Sequence, residues 1–172
     1  MKILGSVIMF FLFSVSIFAQ SSANATANVS ASLKHGLSIT NVGGDIDFGE
    51  IILTGSAQNP SITPGSGTSF LVTGQPNSSV TVTFADVTLD NNAWVTTNGG
   101  TNGTMTFTSA MEETGTSSTY TGANAITSGS SQTLTNVSGL GTLYLWLDGS
   151  LSIAANQPNG DYTGTFTVTV AY

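Results

Sequence analysis

The sequence predicts an all-β fold, an immunoglobulin-like antiparallel sandwich of about eight or nine strands. Three observations point there. Apolar residues recur with a period of two, turn residues separate the runs at short intervals, and no stretch after the first twenty residues sustains a helical period. Thr, Ser, Asn and Gly dominate between the apolar positions, and only 6% of the 172 residues are charged, so the helix formers Glu, Lys and Arg are too scarce to build helices.

In chain order, Met1–Ala19 reads as a cleaved signal peptide. Lys2 supplies the positive start, Ile3–Phe18 the apolar core and Ala19 the small residue at the cut, with cleavage after Ala25 as a second choice. A membrane-spanning helix needs ~20 apolar residues, and this run is shorter. The remainder, 20–172, reads as one domain, because about 150 residues suit a single core. The resulting expectation is export to the periplasm, cell surface or medium, with no membrane insertion once the signal is removed.

Asn28–Leu33 with Leu37–Thr40, Ile46–Leu53 and Ser69–Thr73 are the first candidate strands. Ser21–Ser32 alternates weakly, with Ala23, Ala25, Ala27, Val29 and Ala31 on one side. Ala is a small anchor for a strand donated to a neighbour, so this segment is expected to be the domain's own first strand. Val80-Thr81-Val82-Thr83-Phe84 and Thr104-Met105-Thr106-Phe107-Thr108 place Thr on one face and apolar side chains on the other. Glu112–Ser130 has little apolar content and reads as a long loop or mobile hairpin. Ser131–Val137, Thr142–Leu147 and Ser150–Ala154 follow, with Asp148-Gly149 expected as a two-residue hairpin turn. Tyr162–Tyr172 is the longest alternating run.

Composition excludes several functions. Two Lys or Arg against nine Asp or Glu cannot neutralise phosphates, so nucleic acid is not a partner, and anionic membranes are excluded for the same reason. With no Cys there is neither a disulfide nor lipid attachment at a signal cut. His35 is the sole histidine and no G-x-S-x-G elbow accompanies it, so neither a triad nor a zinc site is expected. Asp45, Asp47 and Glu50 are the densest acidic group, but in a strand Asp45 and Asp47 form the wet face opposite Ile46 and Phe48. Asp86/Asp90 and Glu112/Glu113 are the pairs that a glycosidase reading would use, but adjacent Glu residues point to opposite faces of a strand and Asp90 lies in the turn-like run Asp90-Asn91-Asn92. No catalytic residue, cofactor or metal is therefore assigned.

Trp94, Tyr144 and Trp146 are the candidate contact residues for a ligand or partner. In Leu143-Tyr144-Leu145-Trp146-Leu147 the leucines share one face and the aromatics the other. If the leucines are core, Tyr144 and Trp146 form an exposed pair suited to stacking on a glycan or docking a partner. If the aromatics are core, a neighbouring subunit would cover the leucines. A strand buried on both sides needs no function at all.

Asp45-Ile46-Asp47-Phe48-Gly49-Glu50-Ile51, Phe70-Leu71-Val72-Thr73-Gly74, Leu147-Asp148-Gly149-Ser150-Leu151 and Gly160–Tyr172 together resemble a bacterial secreted family known as domain of unknown function 4402. The chain is also similar in general character to spore coat protein U and pilin-like subunits. Ile46 stands where Leu is usual and Asp148 where a second Gly is usual. The resemblance implies an exported structural or adhesive surface subunit, fimbrial or coat-like, without catalytic activity, whose partners are itself or other subunits through strand edges. The alternative is a secreted carbohydrate-binding module.

Overall fold

A computed structural model describes Ser22–Tyr172; the signal-peptide reading of Met1–Ala19 lies outside the described residues. Leu33–Tyr172 forms one compact unit, and Ser22–Ser32 belongs to a separate one. Ser22–Ser32 is exposed and forms no strand. Its expected role as the domain's first strand is therefore not observed.

The compact unit is an antiparallel β-sandwich. In chain order its elements are β1 (Ser38–Asn41), β2 (Ser61–Ile62), β3 (Thr68–Gly74), β4 (Ser79–Phe84), β5 (Val87–Asp90), α1 (Asn92–Asn98), β6 (Thr104–Glu113), β7 (Asn124–Ile126), β8 (Ser130–Thr133), β9 (Thr135–Val137), β10 (Leu140–Ser152) and β11 (Val168–Ala171). The large sheet runs β1-β3-β10-β6-β5, with β2, β7 and β9 as short additions, and the small sheet runs β11-β4-β8.

β10 is the spine of the large sheet. Leu143, Leu145, Leu147 and Leu151 point into the core, and all are nearly or fully buried. They meet Val72 from β3, Phe107 and Met111 from β6, and Val80 and Val82 from the small sheet. Phe166 bridges the layers, its ring 6.3 Å from Phe70 of β3 and 6.4 Å from Phe84 of β4. Alternation in β4 and β6 follows the sequence: Val80, Val82 and Phe107 are buried while Thr81, Thr83, Thr104, Thr106 and Thr108 are exposed.

Three expectations need correction. Asp148-Gly149 is not a hairpin turn but lies inside the continuous strand β10, paired with Ala110 and Ser109 of β6. Gly149 faces inward, where an added Cβ would come within 2.2 Å of the Thr108 carbonyl oxygen and 2.7 Å of the Phe107 ring. Glycine there permits close approach rather than reversal. Second, Ile46–Leu53 forms no strand, although Ile46 and Phe48 are half-buried between exposed Asp45 and Asp47. Third, Asn92–Asn98 is a short helix, too brief for a helical period to register in the sequence.

Candidate functional site

Two surfaces of the sandwich merit attention. The first is the outer face of β10, where the leucine-in arrangement turns Tyr144, Trp146 and Asp148 away from the core. Trp146 stands opposite Glu112 on β6 and Ser69 on β3. The chain after β6 then folds over it. Thr114 N donates to Tyr144 O at 3.2 Å, and Tyr144 N donates to Gly115 O at 2.8 Å. The Trp146 indole N–H donates to Thr114 Oγ1 at 2.9 Å, while that hydroxyl donates to Ser117 O at 2.7 Å. Tyr120 meets Trp146 edge-on, with centroids 5.6 Å apart and planes at 69°. This arrangement accounts for the Gly-, Ser- and Thr-rich segment after Glu112: its hydroxyls and main chain pin a cover over an aromatic side chain.

Carboxylates surround that cover. The Tyr120 hydroxyl donates to Glu112 Oε2. Glu113 accepts from Gly115 N at 2.6 Å and from Asn124 Nδ2 at 2.8 Å. The hydrogen bond to Glu112 raises the Tyr120 phenol to about 12, aided by burial and by the charges of Glu112 and Asp148. Burial, then the Glu112 charge, raises the Asp148 carboxyl above its ordinary value. Asp148 Oδ1 is buried without a hydrogen-bond partner.

Trp94 is elsewhere. It lies on α1, half-buried, against Gly160 and Gly100. Asn91, fully buried at the start of α1, holds this corner through its side chain, donating to Thr101 O and Asn159 O and accepting from Gly103 N. Of the three aromatic candidates, Tyr144 and Trp146 thus share a face and Trp94 does not join them. His35 is exposed on the approach to β1, its main-chain N–H donating to Gln75 Oε1. Among the described residues, no three His, Cys, Asp or Glu side chains gather as a metal requires.

The second surface is a cleft of about 880 Å³ over the inner face of the large sheet. Phe70, Phe107, Leu147 and Leu151 line its floor, and residues 44–53 and 157–166 form its banks. Phe48 packs edge-on to Phe107 at 6.0 Å. Among the described residues, no backbone–backbone hydrogen bond engages Asp45–Leu53 or Gly164–Thr167. Ile52 and Leu53, on one bank, are 68% and 42% exposed. Sequence reasoning missed the cleft; the one available signal was the alternation of Ile46–Leu53, read as an ordinary strand.

Residues 13–172 match the family described as Domain of unknown function (DUF4402). The chain belongs to this family. The match takes in every strand of the DUF4402 sandwich, both surfaces just described and the segment that precedes β1. No curated protein matches the chain.

Proposed function

We propose that this DUF4402 chain is an exported structural or adhesive surface subunit, without catalytic activity, that associates with other subunits through its strand edges. The observation that carries this reading is the character of those edges. An edge strand offers unpaired N–H and C=O groups to another chain, and proteins blunt it with Lys, Pro or a cover. β1 reads Ser-Ile-Thr-Asn at the end of the large sheet, and β11 and β8 read Val-Thr-Val-Ala and Ser-Ser-Gln-Thr at the ends of the small one. None contains Lys or Pro. Export rests on the signal features of Met1–Ala19 and on the secreted character of the family it resembles. Electron microscopy of the purified chain, with immunolabelling of the producing cells, tests both parts. Filaments or arrays, and label outside the cytoplasm, are expected; dispersed particles and cytoplasmic label overturn the reading.

A second reading, a secreted carbohydrate-binding module, is favoured by one observation: Tyr144 and Trp146 stand beside Glu112 and Asp148, a stacking surface with hydrogen-bond acceptors. Against it, the Trp146 N–H is already used and its ring is covered by Tyr120. Glycan-array binding that disappears in Trp146→Ala supports this reading, and no binding at all removes it.

A further inference from the structure

The sequence holds three Asn-Gly steps, Asn98-Gly99, Asn102-Gly103 and Asn159-Gly160. At such a step a chain can modify itself, because the amide nitrogen after Asn can attack the Asn side-chain carbonyl. Glycine leaves that nitrogen unshielded and its backbone free to turn. We propose that Asn159 is a site of spontaneous deamidation in the folded protein, with water as co-reactant, and that the fold holds back Asn98 and Asn102.

Main-chain hydrogen bonding separates the three steps. All three Asn residues are exposed, so exposure does not decide. The Gly99 N–H donates to Val95 O at 2.8 Å at the end of α1, and Asn98 Nδ2 is tied to Trp94 O at 3.0 Å. The Gly103 N–H donates at 2.8 Å to the side-chain oxygen of fully buried Asn91. Attack at either position must first break that bond. Gly160 differs: among the described residues its N–H has no hydrogen-bond partner, and neither does the Asn159 side chain. Asn159 is held by its main-chain carbonyl, which accepts from Asn91 Nδ2 at 3.1 Å, and it lies between β10 and β11 outside any helix or strand. The attacking nitrogen and the attacked amide are both free there. Asp148-Gly149 could close the same ring by losing water, but it is locked in the β10 ladder, with Gly149 opposite Ser109 and Ile62.

The step balances without oxidant or reductant. A bond forms from Gly160 N to Asn159 Cγ, the Cγ–Nδ2 bond breaks, and the amide proton leaves with Nδ2 as ammonia. Water then opens the resulting succinimide at one of its two carbonyls, giving Asp or isoaspartate at 159. Either product adds a carboxylate to the cleft that Asp45, Asp47 and Asp161 already line. Isoaspartate also lengthens the main chain by one methylene. That shifts the carbonyl which Asn91 holds, and it shifts Gly160, where an added Cβ would lie 3.0 Å from the Trp94 ring. The modification therefore loosens the α1 corner as it adds charge to the bank.

The freshly purified full chain, held folded in mildly alkaline buffer, is sampled over time, digested with pepsin in acid and mapped by mass spectrometry. The expected gain, one water for one ammonia, accumulates at Asn159 roughly tenfold faster than at Asn98 or Asn102, the order of effect of one protecting hydrogen bond. In guanidinium the three sites should convert at similar rates. Asn159→Gln keeps the main-chain carbonyl that Asn91 uses but closes the ring far more slowly, so its folded chain should hold its mass over the same period. Equal rates at the three sites in the folded chain overturn the inference. So does an Asn159 that stays intact when folded while the unfolded chain converts it.

Discussion

Asp148 carries the clearest pH signature of any single residue. Its folded carboxyl is raised by burial and by Glu112, so the protonated form favours folding. The associated stability is fully present below the unfolded carboxylate value and is lost as pH rises through the raised folded value. Asp148→Asn removes that loss. Thermal melts should therefore show the variant more stable than the parent at neutral pH, with the gap closing as pH falls through the raised folded value toward the ordinary carboxylate range; a gap independent of pH would contradict the assignment. Tyr120 behaves in the same direction at the other extreme. Its phenol should ionise near 12, and Tyr120→Phe should abolish that late step in ultraviolet titration of the four tyrosines. At Gly149 steric contact decides the outcome. Ala there meets the Thr108 carbonyl and the Phe107 ring, and should cost about 1–3 kcal/mol in denaturant unfolding. An unchanged midpoint would mean that the strands are farther apart than described.

Among the elements, α1 and its corner depend on Asn91. Asn91→Ala removes three hydrogen bonds at once, to Thr101 O, Asn159 O and Gly103 N, and should lower stability by about 1–3 kcal/mol; a loss close to zero in chemical denaturation would show that water replaces the side chain. The elements also differ in how far the sequence reveals them. β4, β6 and β10 were legible because a strand with one face in the core must alternate, and Val80-Thr81-Val82 and Leu143–Leu147 do. Asp148-Gly149 misled because local turn chemistry and a close cross-strand approach both select Gly. α1 was invisible because its seven residues span about two turns. Ile46–Leu53 is the instructive case: alternation records which side chains meet the core, not whether the main chain has a neighbour. On the outer face, the Tyr144/Trp146 pair was legible from spacing. The cover over Trp146 was not, since it depends on where Thr114, Ser117 and Tyr120 fall in three dimensions.

For the whole molecule, two sheets of unequal width leave part of the inner apolar face of the larger one under irregular banks rather than under a strand. That mismatch, together with edges of Ser, Thr and Val and almost no cations, makes main-chain pairing the most available means of association. It also predicts weak salt dependence, because few charge pairs would be screened. Association through strands, proposed above, should be visible in the mass of the particle in solution. Multi-angle light scattering across a concentration series of the full chain tests it most directly. The expected mass climbs above one chain as concentration rises and changes little with added salt. A single-chain mass at every concentration would contradict it.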